Sequence, residues 1–529
     1  MHPGASVSLK CAALLVGLAP LAPACAEELA RAVSFSEALR LALSQNQNVQ
    51  LQSKQLTVSE GAVLQNRGAF TPELVLRTAR SLDLRPLNLV ERNTLAAEGL
   101  PDERHDSSRA TTSGIILQKS YLSGVQTGVS LEFASQNSLV NAATGLAQQT
   151  TGTIRFNLRV PLLRNAGEEA VGAPLRASEY ERDAAAADLL QTACTTVLQT
   201  AQSYWDLLAR QKRLAILRLS ETRATDLVHE LRKLIEADQI PAADINLATA
   251  NEAEKRAARA AGEQAVQEAW ANLARQLGMS AGEAKGTPLS GELPQVSEKV
   301  IEATAGSLER LRRLALEQRS DLKAAHVRER AAQVLMVAAR RNLKPQFDLT
   351  AGISSGGLTE GTSALALGPA LVSNLTGPSV NVGLEYRWPF SNETARGLLL
   401  SRSASYDQTL IRVLSLEQSI DTNIATLVAS LRRIGTRYQE GTAAAERYQI
   451  TVKNEQTKRR LGLATLIDVL NVQDRLDNAQ LSLLALQQEY AAVLAQIDFE
   501  IGSIVQKEGD EYRVDLAALT GDQATRVSH

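Results

Sequence analysis

Residues 341–353 read Arg341-Asn342-Leu343-Lys344-Pro345-Gln346-Phe347-Asp348-Leu349-Thr350-Ala351-Gly352-Ile353, and the apolar period changes from 3.6 to 2 at the proline. A residue that precedes proline is pushed toward extended backbone, so the helix leading into this stretch must stop there. Beyond it, Phe347, Leu349, Ala351 and Ile353 alternate with Gln346, Asp348, Thr350 and Gly352, as in a strand with two unlike faces. A second alternating run sets Val380, Val382, Leu384, Tyr386 and Trp388 against Asn381, Gly383, Glu385 and Arg387. The Gly- and Ser-rich stretch from Ser354 to Ser379 reads as a loop between them. Strands of about ten residues are long enough to cross a bilayer at a tilt.

The same plan occurs earlier in the chain. Leu41-Ala42-Leu43 matches Leu314-Ala315-Leu316 at an offset of 273, which also carries Gln45 onto Gln318, Val49 onto Leu322 and Pro72 onto Pro345. Arg159-Val160-Pro161 matches Arg387-Trp388-Pro389 at an offset of 228, so the first copy holds 45 more residues between its prolines. Asp244 matches Asp468, and Leu277-Gly278 matches Ile501-Gly502, both at an offset of 224. In the first copy Leu74 and Leu76 fall in the first strand, and Ile154, Phe156, Leu158 and Val160 oppose Arg155, Asn157 and Arg159 in the last. Ile115 to Tyr121 and Gly128 to Ala134 alternate too; whether they join a barrel or fold into the external loop is open at this stage. Each copy opens with a helix, in the first marked by the capping box Ser34-x-x-Glu37 and an apolar face of Ala38, Leu41, Ala42 and Val49.

The chain has 529 residues with 56 basic and 58 acidic side chains, a net charge of −2 that argues against nucleic-acid binding. Aromatics make up only 4%, whereas Ala, Leu, Gln, Glu and Arg dominate long stretches, which suits extended helices packed through small residues. The first 26 residues read as a signal peptide: Lys10, an apolar run from Cys11 to Ala19, and Ala24-Cys25-Ala26 as the cleavage pattern. Lipidation at Cys25 is the rival reading, with Ala22-Pro23-Ala24 a poor lipobox. Only Cys194 then remains, so no intramolecular disulfide is expected. No other stretch supplies about 18 consecutive apolar residues, so a membrane-embedded exported chain is expected to be a β-barrel. A soluble sheet with one wet face is the rival for any one strand; four such segments on an exported chain favour the barrel.

After Pro161 and Pro389 come very long helical stretches of roughly 65 residues, or about 100 Å. Each breaks once, at Asp238-Gln239-Ile240-Pro241 and at Leu461-Gly462, to form helical hairpins whose turns lie far from the strands. Four strands per chain cannot close a barrel, for which about eight is the minimum. Copies of the chain must therefore share one, with Asp348, Thr350, Asn381, Glu385 and Arg387 lining a polar lumen and the helices continuing it as a hollow tube.

In Ser34-Phe35-Ser36-Glu37-Ala38-Leu39, Val160-Pro161-Leu162-Leu163-Arg164 and the turn Leu461-Gly462-Leu463-Ala464-Thr465-Leu466-Ile467-Asp468-Val469-Leu470, the chain resembles the TolC-type family of outer-membrane efflux proteins, over roughly residues 33 to 505. The resemblance implies an α+β membrane protein, internally duplicated, with a long α-helical coiled-coil tunnel and a shared twelve-stranded barrel in a homotrimer. It also implies docking to a periplasmic adaptor and an inner-membrane transporter. Asp468 matches the first acidic residue of a motif that rings the periplasmic aperture, and the second falls on Asn471. Asp244 matches an acid in the bonds that close the tip; the Arg and Tyr that complete them fall on Ala464 and Arg459, which leaves Arg459 or Arg460 as substitute partners. The plainer reading is that Asp244 and Asp468 begin helices and complement their dipoles.

The expected organisation is a signal peptide (1–26), a first repeat (27–278, strands about 73–160, hairpin turn near 238–241), a connector (279–306), a second repeat (307–502, strands about 346–388, turn near 461–468) and a polar tail (503–529). The tail and the connector are expected to form a belt around the tunnel. No nucleophile elbow, zinc helix or phosphate loop occurs, so neither enzymatic activity nor a cofactor or metal is expected. His229 and His326 read as tunnel-wall residues, Met279 and Met336 lie too far apart for a metal relay, and Trp388 is placed at an interfacial girdle. The expected function is an exit duct of a tripartite efflux or type I secretion system in the Gram-negative outer membrane; the alternative is a non-conducting periplasmic adaptor or scaffold.

Overall fold

The computed structural model describes residues 33–99, 104–143, 145, 148–237, 244–280, 289–360, 367–509, 511–516 and 519. The expected signal segment, with Cys25, and the turn at 238–241 lie outside them. β1 (Val33–Ser34), α1 (Phe35–Gln45) and α2 (Gln47–Gly68) lead to β2 (Glu73–Pro86), α3 (Leu89–Ala97), β3 (His105–Ser120), β4 (Gln126–Asn137), α4 (Leu139–Ala143) and β5 (Gln149–Pro161). α5 (Glu168–Val171) precedes the long helices α6 (Ala173–Glu236) and α7 (Asp244–Gln276). β6 (Leu289–Ser290), paired with β1, and α8 (Glu298–Gly306) connect to α9 (Leu308–Gln318) and α10 (Ser320–Arg341). β7 (Gln346–Glu360), α11 (Pro369–Val372), β8 (Thr376–Arg387), α12 (Glu393–Arg460) and α13 (Leu466–Ile501) follow, and β9 (Val505–Glu508) and β10 (Glu511–Val514) form a last hairpin.

β2, β3, β4, β5, β7 and β8 form one antiparallel sheet in that order. The alternating segments whose place the sequence leaves open are thus β3 and β4, strands of the sheet, and the chain carries six long strands where the sequence counted four. Below the sheet α2 packs on α6, α6 on α10 and α10 on α12, a row of four helices. Ion pairs Arg67–Glu179 and Arg328–Asp188 bridge α2 to α6 and α10 to α6 in the upper part of this row, and Arg341–Glu169 bridges α10 to α5. Farther from the sheet α7 takes the place of α2 beside α6, and α13 takes that of α10 beside α12. α6 has 64 residues and α12 has 68, so each runs about 100 Å.

The opening helix of each repeat is not continuous, as the sequence had suggested, but breaks in the same place. Asn46 and Arg319 take extended ψ angles of 128° and 127° between α1 and α2 and between α9 and α10. The Asn46 side chain accepts from the Asn48 N–H at 2.9 Å and so starts α2 afresh, which compensates for the broken ladder. Against each break ends a long helix whose last turn is closed by a left-handed glycine, Gly278 (φ +73°) and Gly502 (φ +81°). In both, the N–H just after the glycine reaches back five residues, Met279 to the Ala274 carbonyl and Ser503 to the Asp498 carbonyl. A Cβ on Gly278 would lie 2.5 Å from the Gln45 carbonyl oxygen, so the approach itself requires glycine.

These joints sit in the apolar core at mid-length. Leu39, Tyr204, Trp205, Leu207, Leu273 and Leu277 are buried together, with Phe35 stacked on Trp205 at 5.2 Å and Ile504 and Val505 of the last hairpin packed on the same cluster. A second cluster joins Val300 and Ile301 of α8 to Leu431 and Ile434 of α12 and to Tyr490 and Leu494 of α13.

Candidate functional site

The strand ladders put side chains of paired residues on one face. One row across the sheet is Leu74, Leu117, Val129, Phe156, Ile353 and Val380, each 40–68% exposed. The adjacent row, on the opposite face, is Glu73, Gln118, Gly128, Asn157, Gly352 and Asn381. Alternation of this kind, apolar on one face and polar on the other, is the pattern of transmembrane barrel strands. Tyr386 and Trp388 are exposed at the lower end of β8, where Trp388 stacks on the exposed Phe390 at 6.3 Å.

Asp348, Thr350, Asn381, Glu385 and Arg387 all fall on the polar face: Asp348 pairs with Glu385, Gln346 with Arg387, Thr350 with Gly383 and Gly352 with Asn381. Asp348 is buried by its partners, accepting from Arg159 Nε at 2.9 Å and Gln346 Nε2 at 2.6 Å. Arg387 donates to Glu385 at 2.5 Å, and the Thr350 hydroxyl donates to the Gly383 carbonyl at 3.2 Å. At the upper end Arg85 grips Glu91 through two bonds of 2.7 and 3.0 Å and lies 3.3 Å from Asp106. That guanidinium, with the Asn88 N–H, holds the Glu91 carboxyl down to about 2. α11 lies on a glycine platform, where a Cβ on Gly357 would come within 2.4 Å of the Ala370 carbonyl oxygen.

At the far end, α12 closes on Gly462 (φ +76°), with the Leu463 N–H bonded to the Lys458 carbonyl at 2.8 Å. Thr465 then begins α13 with a capping box: its hydroxyl accepts from the Asp468 N–H at 3.3 Å, and Asp468 Oδ2 accepts from the Thr465 N–H at 2.9 Å and its hydroxyl at 2.6 Å. These bonds hold the Asp468 carboxyl below its ordinary range. Asp468 and Asn471 are both exposed, and Arg475 continues the same exposed side of α13. Asp244 is the first residue of α7, and its side chain lies outside the described residues. Arg459, expected as a substitute partner of Asp244, donates to Glu230 of α6 at 2.7 Å, while Arg460 is exposed at the end of α12. Leu227, Val228 and Leu231 of α6, Ala248 of α7 and Leu466 and Leu470 of α13 pack beneath, so the two hairpin ends meet in one small core.

Ties that sequence spacing did not signal join the helices above this tip. Asp477 accepts from Ser220 at 2.5 Å and Arg223 at 2.7 Å, and Lys255 donates to Asp474 at 2.5 Å. Glu500, at the end of α13, is buried against Arg319, which also holds Asp321 through bonds of 2.9 and 2.6 Å. Their equivalents in the first repeat are Gln276 and Asn46, joined by an amide donating to a carbonyl at 2.8 Å. Only the repeat offset, applied to both members at once, could have paired them.

Among the described residues no group of three or more His, Cys, Asp or Glu could hold a metal ion, and no helix is long and apolar enough to cross a membrane. His229 is exposed, and His326 lies 3.4 Å from Glu329 and 3.9 Å from Glu417. Cys194 is buried, which pushes its thiol up to about 11.

Residues 311–503 match the family model described as outer membrane efflux protein. The fold is that of solved outer-membrane channels. The OprN channel is 15% identical with a TM-score of 0.65 over 89% of this chain and 90% of that one. VceC of Vibrio cholerae is 17% identical with a TM-score of 0.63 over 88% and 96%. CmeC of Campylobacter jejuni is 13% identical with a TM-score of 0.63 over 89% and 85%. No curated protein sequence matches the chain.

Proposed function

The chain carries the outer membrane efflux protein pattern over residues 311–503 and, through the described residues, the fold of such channels, and from that premise we propose that it is the passive exit duct of a tripartite efflux or type I secretion system. The protein resides in the Gram-negative outer membrane with its helices in the periplasm. Three copies share one barrel, the apolar rows facing lipid and Asp348, Thr350, Asn381, Glu385 and Arg387 facing the lumen. Tyr386 and Trp388 anchor the periplasmic rim, where amphipathic aromatic side chains favour the headgroup level.

The observation that carries this reading is the division of one sheet into apolar and polar faces, placed directly above two helical hairpins about 100 Å long. A periplasmic scaffold has no use for a sheet face that water cannot wet favourably. The helical hairpins form the tunnel wall, and their ends form the aperture, which three Asp468 carboxylates and three Asn471 amides ring. Energy comes from an inner-membrane transporter coupled through a periplasmic adaptor. The duct itself binds no cofactor, and cargo is chosen by the pump.

Single-channel recording of the purified protein in a planar bilayer tests this. A conducting pore whose cation preference under a salt gradient falls in Asp468→Ala is the expected result. Conductance with unchanged selectivity removes Asp468 from the aperture. A protein that washes from membranes at high salt, and stays silent with Arg459→Ala at the tip, overturns the channel.

A further inference from the structure

We infer that three copies of this chain close a barrel of eighteen strands, six from each copy, in place of the twelve that the family resemblance implies. The inference rests on the channel reading above and specifies its exit. The extra pair of strands is built as barrel wall, not as an external loop. The ladders from β2 through β8 run unbroken but for one irregularity between Ser354 and Gly356 in β7, and the lower ends are paired: Glu73 faces Gln118, Lys119 faces Thr127, Gln126 faces Arg159, Pro161 faces Asp348 and Gln346 faces Arg387. The apolar row from Leu74 to Val380 crosses all six strands without a polar residue. A β3–β4 hairpin lying in water above the membrane gains nothing from Ile115, Leu117 and Val129 exposed at that height.

Width is consistent with six strands. Six strands about 4.8 Å apart and tilted by about 40° occupy roughly 38 Å of barrel wall. The row beneath them, α2, α6, α10 and α12, at about 9–10 Å per helix occupies roughly 36–40 Å. β2 and β8 are the two ends of the sheet, and an unpaired edge at bilayer depth leaves backbone groups without partners. A second copy, presenting β8 to β2, is the occupant that satisfies both edges and repeats until the ring closes. Because barrel diameter grows about linearly with strand number, the exit is about one and a half times as wide as a twelve-stranded ring, roughly 36 Å between backbones. The barrel therefore does not sieve cargo by size, and that selection falls to the helical tip.

Electron cryo-microscopy of the full chain in lipid nanodiscs counts the strands directly. Eighteen strands, with β2 of one copy beside β8 of the next, is the expected result. Twelve strands, with two from each chain folded out of the wall, overturns the inference and leaves the channel reading intact; a protein without any barrel overturns both. Cysteine cross-linking in native membranes gives an independent answer, since Cys194 is buried and silent. Thr78→Cys or Arg80→Cys combined with Val382→Cys or Leu384→Cys should give disulfide-linked oligomers in at least one combination. Cross-links from those β8 positions only to Leu131→Cys or Phe133→Cys in β4 would place the seam elsewhere and overturn the inference.

Discussion

Glu500 offers the sharpest test of the packing at the second joint. Its carboxylate is only 4% exposed, and it accepts from Arg319, from Asn423 at 3.2 Å and from Gln496 at 3.3 Å. Arg319 is 7% exposed and lies over the Phe499 ring at 5.5 Å, so it cannot turn to water when its partner is removed. Breaking a buried pair by deleting one charge costs about 3–5 kcal/mol. Here Asp321 still holds the guanidinium, which argues for the lower end, while the stranded Asn423 amide adds about 1 kcal/mol. Glu500→Leu is therefore expected to destabilise the helical region by about 3–4 kcal/mol. The double variant Arg319→Met, Glu500→Leu removes both buried charges and leaves Asp321, 23% exposed, free to hydrate, so it should recover most of that loss. Urea unfolding of the detergent-solubilised protein, followed by helical circular dichroism, reads both. A loss below about 1 kcal/mol in the single variant, or a double variant no better than the single, would refute the reasoning.

Thr465→Ala removes the cap of α13 and should cost about 1 kcal/mol, read as faster amide exchange from Leu466 to Leu470. Because the Asp468 carboxyl is held below its ordinary value in the folded tip, its contribution is full above the unfolded pKa and is lost as pH falls through the lowered one. Amide protection at the tip should therefore weaken only in acid below about pH 4, and in Thr465→Ala that acid dependence should flatten. Arg459→Ala removes the tie to Glu230; an ion pair with one half-exposed member is worth about 0.5 kcal/mol, so melting should hardly move while channel openings in a planar bilayer become more frequent. Gly357→Val drives a side chain into the Ala370 and Ser373 carbonyls, 2.4 and 2.7 Å from the added Cβ, and should make the segment around α11 sensitive to protease while the oligomer survives on a denaturing gel.

The sequence made the large features legible because they are periodic. Pro345 marks a real change from α10 to β7, and the 3.6-period stretches are the helices α6 and α12. It left the place of β3 and β4 undecided because alternation identifies a strand, not its neighbours; the register with β2 and β5 depends on the whole sheet. The breaks at Asn46 and Arg319 were hidden for another reason. Neither residue is a helix breaker like proline, and what stops each helix is the glycine-capped end of another helix pressed against it. At the tip, Asp468 reads from sequence both as an aperture residue and as a helix-starting acid, and its bonds to Thr465 fit both, since a capping carboxylate is still a charge. The bond from Arg459 to Glu230 spans 229 positions and obeys no local pattern.

The two joints also set how the helical hairpins can move. Each is the pivot of a lever: α7 with 33 residues and α13 with 36 extend roughly 50 Å from Gly278 and Gly502 to the far end. A rotation of about 5° at a pivot carries the end of such an arm about 4 Å, comparable to the width of a side chain. The pivots differ in stiffness. Both are packed in apolar core, but the polar tie across the first is neutral, Asn46 to the Gln276 carbonyl, whereas that across the second is the buried Arg319–Glu500 pair. By these polar ties alone the α7 arm is the more compliant and the α13 arm the stiffer, and in the proposed ring of three the two kinds would alternate, as in an iris whose every second leaf gives more easily.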